Sequence, residues 1–466
     1  MNTRKEFDIV GSLEVPSQAY YGIHSLRAKE NFNISNQSIH KNFIRNIARV
    51  KLAAATTNIN SGLLNKEKGE AICKACRDII NGQFLDQFIV DEFQGGAGTS
   101  SNMNANEVIA NIAIEYLAGN LGNYSLIHPN DDVNMCQSTN DVIPTAGKIT
   151  VLELISNLIY QLQNLDNSLV KKSIEFHDIV KMGRTQMQDA VPMRLGQSFK
   201  SFSKGIRRDI EALELHKKYM REVNLGGTAI GSSINANAYY ISHVIDNLST
   251  VCGFAMLPAK DKFDGTSNLD CFVRISSTLK TCAITLSKMC NDLRLMSSGP
   301  TTGIGEINLP PRQNGSSIMP GKVNPVIPEM VSQVAFQVIG NDVTISLAAE
   351  GGQLELNPFE PVIFKNLFES LDCLTNAIAS LRINCIDGIS PNIEHCHSLV
   401  TNSYSVATAL CPVIGYNKAS NLAKEALKTG STVKEVALQN GFTNINLDNL
   451  LDARKMTEPQ IRYLKR

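Results

Sequence analysis

The sequence predicts a mainly α-helical protein organised around a bundle of long helices, and three runs of apolar spacing predict it. Phe272, Leu279, Leu286 and Leu293 recur every seven residues, as do Ile275, Cys282, Met289 and Met296. Together they form the a and d seams of four heptads. Val151, Ile155, Leu158, Leu162, Leu165 and Leu169 alternate spacings of four and three. A third run sets Ile327, Val331, Val334 and Val338 and resumes at Ile345. Such runs imply helices of roughly 20–30 residues, longer than the usual roughly 10–14, and helices of this kind pack in bundles at shallow angles. Stripes this long want partner helices on more than one side, so burial against other subunits is expected.

At roughly 150 residues per domain, the 466 residues allow about three domains. The breaks in pattern place boundaries near 139 and 394. Residues 1–139 read as a mixed helical domain, 140–394 as the central long-helix bundle and 395–466 as a small helical domain. In the first, helical patterns cover about residues 40–60 and 67–82 and are mixed with turn-rich polar segments such as Gln94-Gly-Gly-Ala-Gly98. A helix is expected to start just after Gly98. The long helix that follows is announced by Asn134-Met-Cys-Gln137-Ser138-Thr139-Asn140-Asp141, with Pro144 read as lying in its first turn. Gly183-Arg184-Thr185-Gln186-Met-Gln188-Asp189-Ala-Val-Pro192 reads as a loop between two helices. From Gly299 to Gly321 glycine and proline recur so often that no regular element fits, and a long irregular stretch inside a helical protein is usually a functional lid. Near the end, one helix stops at Thr429-Gly430 and another opens with Thr432-Val-Lys-Glu435, the spacing of a capping box.

Composition excludes several classes. Lys+Arg and Asp+Glu both number 44, so the formal net charge is zero. A nucleic-acid protein should carry an excess of positive charge for phosphates, and an acidic solvating tail the opposite. The opening Met1-Asn-Thr-Arg-Lys-Glu-Phe-Asp contains no apolar leader, and no uninterrupted run approaches the roughly 18 apolar residues of a membrane span. The 11 cysteines are an odd number, scattered from Cys73 to Cys411, which suits free thiols in a reducing compartment. With no Trp and 43% hydrophobic residues, the core is aliphatic. The expectation is a cytoplasmic protein with neither a nucleic-acid nor a membrane partner.

Four polar constellations carry candidate chemistry. In Gly95-Gly-Ala-Gly98-Thr99-Ser100-Ser101-Asn102, the glycines let backbone N–H groups approach an anion at a helix start. A dinucleotide loop would need a third glycine and a βαβ rhythm, and both are missing. In Gln137–Asp141, the four hydrogen-bonding side chains Gln137 to Asn140 exceed what capping requires and put donors at the positive end of a helix, where a carboxylate is stabilised. Gly183–Pro192 is the polar break already noted. In Gly315-Ser316-Ser317-Ile-Met319-Pro320-Gly321-Lys322-Val-Asn324-Pro325, paired serines and a lysine offer an oxygen base and a cation in one loop. Weaker candidates read as structural. Cys73-Lys-Ala-Cys76 lies in a helical pattern without a second CxxC, and His395-Cys-His397 spaces its rings apart on a helix. His128 adjoins a polar constellation, and the basic tail Arg462–Arg466 reads as a solvated end.

Those segments together resemble the aspartase/fumarase superfamily, and the likeness runs from about residue 8 to the end. Gly315–Pro325 is similar to its signature loop, and Gly95–Asn104, Gln137–Asp141 and Gly183–Pro192 to its other shared regions, in the same chain order. Ala19-Tyr-Tyr-Gly-Ile-His24-Ser-Leu-Arg-Ala28 and Glu30-Asn-Phe-Asn-Ile-Ser35 resemble the aspartate ammonia-lyase branch, where fumarases carry a Trp-Gly-Ala-Gln-Thr version. The resemblance implies a three-domain, mainly helical fold. It also implies a homotetramer whose central helices form a 20-helix bundle, with each site shared by three subunits.

It implies, further, reversible anti elimination of ammonia from L-aspartate to give fumarate, without a cofactor. The C3 proton is acidic only if charge can collect on the neighbouring carboxylate as an aci-carboxylate, so several donors must tighten in the transition state. The resemblance puts Thr99, Ser138, Thr139 and Ser317 around that carboxylate, Lys322 and Asn324 at the α-carboxylate, and Asn140, Thr185 and Gln186 towards the amine. Ser316 is carried over as the general base, which demands positive charge and backbone N–H groups to hold it as alkoxide. Gln186 replaces the His of fumarases and of some aspartases, and glutamine is neither acid nor base. Phe359 in Asn357-Pro-Phe-Glu-Pro361 stands where the family turn has Met, so altered packing alone is expected. No metal-ligand cluster appears, although some aspartases respond to Mg²⁺. The rival readings are a class II fumarase, which Gln186 disfavours, and a non-catalytic scaffold of the same fold, which the intact Ser316, Lys322 and Gln137–Asp141 disfavour.

Overall fold

A short hairpin begins the chain: β1 (Thr3–Asp8) pairs antiparallel with β2 (Gly11–Pro16). The computed structural model describes residues 2–458, so the tail Arg462–Arg466 lies outside the described residues. Helices follow as α1 (Ile23–Asn31), α2 (Lys41–Asn60), α3 (Lys66–Ile80), α4 (Thr99–Tyr116) and the 37-residue α5 (Thr139–Glu175). A second hairpin, β3 (Val180–Thr185) and β4 (Gln188–Arg194), leads into α6 (Leu195–Arg221). The two-residue strands β5 (Glu222–Val223) and β6 (Leu257–Pro258) flank α7 (Ala238–Cys252). Then come α8 (Lys262–Ser267), α9 (Asp270–Met296), β7 (Ile307–Asn308), α10 (Val326–Glu350), α11 (Glu360–Asn384) and β8 (Ser390–Pro391), which pairs with β7. Short helices close the described chain: α12 (Ile393–Thr401), α13 (Cys411–Ile414), α14 (Tyr416–Thr429), α15 (Val433–Gln439), α16 (Leu447–Leu450) and α17 (Ala453–Met456). The fold is mainly α-helical, as the spacing predicts.

The chain divides into two compact units. The first takes the chain up to Ile159, then Glu211–Thr281 and Phe336–Thr375. The second takes Tyr160–Ile210, Cys282–Ala335 and the chain from Asn376 onward. Every residue of the two α9 seams is buried, and so are the six of α5. In α10, Val331, Val338 and Ile345 are buried, while Ile327 and Val334 are half-buried. The same helix leaves Phe336, Val343 and Leu347 more than half exposed. By length and composition α5 could cross a membrane, but its apolar window is mostly buried inside the protein, as a core helix requires. In the second unit the short C-terminal helices enclose a core of Val400, Leu410, Leu422, Val436 and Leu447, joined by Met182 of β3. Thr432 and Glu435 form the expected capping box, and Gly430 ends α14 in the left-handed conformation.

Two local expectations are corrected. Gly183–Pro192 is a β-hairpin and not a loop: Thr185 pairs with Gln188, and Gln186 and Met187 form a two-residue turn with φ of +52° and +66°. Neither residue is a glycine, so the usual sequence mark of such a turn is missing. Pro144 lies inside α5 and not in its first turn, because the helix already starts at Thr139. Proline there cannot donate to the Asn140 carbonyl. Asn224 does so instead, with its Nδ2 at 3.0 Å.

Candidate functional site

In the first unit the donors converge from two helix starts. Gly96, Ala97 and Gly98 all have positive φ (83°, 54° and 84°), which turns the chain sharply into α4. A Cβ on Gly98 would stand 2.9 Å from Ile143 Cγ2, so both space and conformation require glycine. Thr99, the first residue of α4, is exposed, and its hydroxyl donates to the Gly96 carbonyl at 2.6 Å. One turn later, Asn102 Nδ2 donates to Thr139 Oγ1 at 3.2 Å, so the two helix starts adjoin.

The start of α5 is held from beneath. Asp141 is fully buried and accepts from the backbone N–H groups of Ser138 (2.9 Å), Gly226 (3.1 Å) and Thr228 (2.9 Å). Burial pushes its carboxyl up to about 6, against the pull of those three donors and of the Lys51 charge. The Ser138 hydroxyl accepts from the Asn140 N–H at 3.2 Å, and Asn140 Nδ2 donates to the Ala229 carbonyl at 2.8 Å. Gln137 spends its amide on the Val133 and Met135 carbonyls of its own turn. Ser138, Thr139 and Asn140 therefore sit half-exposed on a rigid base, at the positive end of a long helix.

In the second unit Thr185 and Gln186 are exposed at the tip of the β3–β4 hairpin. Its root is clamped by Glu306, completely buried, which pairs with Lys181 at 2.9 Å and Arg184 at 2.7 Å. The segment from Ser297 to Pro325 is irregular, with β7 as its one regular piece. Within it the Gly315 N–H meets the Lys322 carbonyl at 2.9 Å, closing a tight loop. Asn324 Nδ2 latches that loop by donating to the Gly315 carbonyl at 2.8 Å. Ser316 Oγ accepts two backbone N–H groups, from Ile318 at 3.2 Å and Met319 at 3.1 Å. Ser317 and Lys322 are exposed, and Lys322 and Asn324 line an open cavity of about 770 Å³ with Arg294 and Glu329.

The sequence-predicted residues thus form two sets, one in each unit: Thr99, Ser138, Thr139 and Asn140 in the first, Thr185, Gln186, Ser316, Ser317, Lys322 and Asn324 in the second. Sequence reasoning named Asn102 and Asn134 within the polar constellations without giving them a supporting role, and it missed Lys51 in the first unit and Glu306 in the second. Lys51 carried a signal, a lone lysine in the apolar run Val50 to Ala55. Several weaker candidates are structural. His128 Nδ1 accepts from the Asn130 and Asp131 N–H groups, capping a short helical turn. Cys73 and Cys76 are buried in α3, and burial pushes the Cys76 thiol well up. His395 Nε2 lies 2.9 Å from the Ile304 carbonyl, and His397 is exposed. Among the described residues, no group of three or more His, Cys, Asp or Glu side chains could hold a metal ion.

The chain matches the family model described as "Lyase" over residues 11–340 and the one described as "Fumarase C C-terminus" over residues 406–458. It is 48% identical to an aspartate ammonia-lyase of a Bacillus species, with 99% of each chain covered. The aspartate ammonia-lyase of Escherichia coli K12 is 46% identical, over 98% of this chain and 97% of that one. Among solved structures, a fumarate lyase:delta crystallin from Brucella melitensis, bound to cobalt, superposes with a TM-score of 0.96 at 49% identity, covering 98% of this chain and all of that one. A class II fumarase from Schistosoma mansoni superposes with a TM-score of 0.95 at 32% identity, with the same coverage. The fold is common to both activities, whereas the identity is higher with the aspartate ammonia-lyases. The chain belongs to the aspartase/fumarase superfamily of lyases, in the family of the aspartate ammonia-lyases.

Proposed function

We propose that the protein is an aspartate ammonia-lyase, a carbon–nitrogen lyase interconverting L-aspartate with fumarate and ammonia, and that Ser316 is its base. The activity follows from near-full-length similarity to enzymes of that name. The base assignment is supported by one observation above all: Ser316 Oγ accepts two backbone N–H groups inside its own loop. An alkoxide there keeps both bonds and strengthens them, which lowers the cost of losing the hydroxyl proton. Lys322, six residues on, supplies positive charge.

In this reading Ser316 Oγ takes the C3 proton, and the electron pair moves onto the side-chain carboxylate as an aci-carboxylate. Thr99, Ser138, Thr139 and Ser317 donate to its oxygens. Lys322 and Asn324 hold the α-carboxylate, Lys322 as a point charge. The C2–N bond then breaks, and its electrons leave with nitrogen as ammonia. Because the substrate amine is already an ammonium, the leaving group needs no added proton, so Asn140, Thr185 and Gln186 position it without acid chemistry. A fumarase must also deliver or remove a proton at the hydroxyl, which Gln186 cannot do. Reading absorbance at the fumarate band with aspartate, malate and argininosuccinate in turn tests the assignment. Fumarate from aspartate alone is expected, and fumarate from malate at comparable rate would reverse it.

We further propose a cytoplasmic homotetramer, with the long helices forming a shared bundle and each site assembled from three subunits. The division at about residues 139 and 394 belongs to this reading. Supporting it, Phe336, Val343 and Leu347 lie on one face of α10 and are 64%, 56% and 66% exposed in the single chain. Mixed Thr99→Ala and Ser316→Ala subunits should regain activity that neither variant has alone. An active monomer in sedimentation would count against the assembly.

A further inference from the structure

Lys51 has no exposed surface, although it sits in α2 between Ile47, Val50, Ala54 and Ala55, all buried. A lysine so placed must find polar partners or give up its proton. Its Nζ donates to Asn134 Oδ1 at 2.8 Å. Asn102 Nδ2 donates to that same oxygen and to Thr139 Oγ1, both at 3.2 Å. Asn134 in turn donates through Nδ2 to the Gln137 carbonyl, also at 3.2 Å. A continuous chain of side chains therefore joins a buried ammonium to both ends of the Gln137–Thr139 turn, and every member lies in the first unit.

Two titratable groups face the lysine from neighbouring elements, Asp141 of α5 and Cys76 of α3. Asp141 carries its charge beneath the same turn, tied to three backbone N–H groups. Cys76 is held as a thiol by its burial. Burial brings the Lys51 ammonium down to about 7, while the Asp141 charge pulls it back up. The lysine is thus placed to change charge near neutral pH, directly behind a turn of neutral donors.

We propose that Lys51 is a positioning residue for the dicarboxylate: through Asn134 and Asn102 it fixes the Thr139 hydroxyl, and its charge strengthens the hold of the Ser138–Asn140 turn on a substrate carboxylate. The inference rests on the reading of that turn as a carboxylate cradle. It adds to the proposed mechanism a group that touches no reacting atom and makes binding depend on pH.

The test uses the whole protein and succinate, a dianion without an amine. Affinity is measured by calorimetry from about pH 6.5, where Asp141 is already mostly ionised, to about pH 9. Wild type should lose about tenfold in affinity as Lys51 gives up its proton. Lys51→Met should bind about tenfold more weakly at the acidic end, show no step, and meet the wild type at the alkaline end. A lysine that merely supports the fold would weaken binding by one factor at every pH, and that result, or unchanged binding, overturns the proposal. Asn134→Leu keeps the lysine but removes its acceptor and cuts the chain, so it provides the second arm should Lys51→Met not fold. Several-fold weaker succinate binding is expected from it, and undiminished affinity overturns the relay. Fumarate release from aspartate is followed alongside. A wild type that neither releases fumarate nor binds succinate defeats the reading of the site, whereas an active wild type with an unchanged Lys51→Met variant defeats the lysine alone.

Discussion

The turn at Asn134–Asp141 and the loop at Gly315–Asn324 both present hydroxyls and amides, yet they are held in opposite ways. The loop is tied to itself. Gly315 bonds Lys322, Asn324 bonds Gly315, and Ser316 takes the N–H groups two and three residues on. The turn is tied to the core through residues remote in sequence: Lys51, Asn102, Asn224, Gly226, Thr228 and Ala229. Its carboxylate, Asp141, is completely buried, whereas Ser317 and Lys322 are exposed. A loop closed by its own short-range bonds can move as a piece without disturbing core packing, which suits a group that must be delivered to substrate. A turn fixed from beneath cannot move, which suits donors that must already point where charge will develop. Catalysis of the proposed kind needs one of each.

The largest effect should come from the loop and leave the fold untouched. Ser316→Ala removes the proposed base, and kcat should fall by about 10³–10⁴-fold. Succinate affinity should stay near the wild-type value, because the hydroxyl is asked to act in the transition state and not in binding. Circular dichroism should be unchanged, since among the described residues Ser316 bonds within its own loop. Near-normal kcat would move the base to Ser317 or out of the loop altogether.

The turn should respond the other way, with stability and activity lost together. Asp141→Ala strands three backbone N–H groups, and a cost of about 3 kcal/mol or more is expected by chemical denaturation. This loss has a pH signature. Burial raises the Asp141 carboxyl from 3.8 to about 6 in the folded protein, so between those values the folded state holds the proton more tightly than the unfolded chain. Stability contributed by the residue is then greatest below the lower value and declines as pH rises to the upper one. The stability gap between wild type and Asp141→Ala should narrow across that window and stay level above it.

Lys322→Ala returns to the loop with a smaller effect. A charge-assisted contact worth about 1.5–3 kcal/mol is lost, which should raise KM for aspartate by roughly 10–100-fold and weaken succinate equally, with little change in melting temperature. The contrast with Asp141→Ala also explains what was legible from sequence. The loop's chemistry is local, so Gly315 to Asn324 displays its glycine, serines and lysine in consecutive positions. The seams of α5 and α9 were readable for the same reason, because periodicity is a local property. The turn's own side chains were visible as well, but its supports were not. Nothing near Lys51 or Asn102 says that each meets Asn134, because that meeting depends on how α2 and α4 pack. The β3–β4 hairpin escaped notice because two residues with side chains, Gln186 and Met187, adopt the left-handed turn conformation that glycine and asparagine usually mark.

The smallest effect probes how remote support replaces local bonding at the start of α5. Pro144 denies the Asn140 carbonyl its helical N–H, and Asn224 Nδ2 supplies the missing donor at 3.0 Å. Asn224 is 1% exposed and also donates to Thr266 Oγ1 at 2.9 Å, so no solvent stands ready to replace it. Asn224→Ala should therefore cost about 1–3 kcal/mol, mainly by leaving two acceptors unpaired. Pro144→Ala should by itself be close to neutral, because the carbonyl it could now bond is already satisfied. In the double variant the backbone N–H gained at position 144 can reach the Asn140 carbonyl four residues back, as in any uninterrupted helix. The loss from Asn224→Ala should then shrink by about 0.5–1 kcal/mol. Denaturation of the two single variants, the double variant and the wild type at one protein concentration gives that coupling directly. Strict additivity would mean that the carbonyl gains nothing from Asn224, and that the start of α5 is held by its other ties, Asp141 foremost.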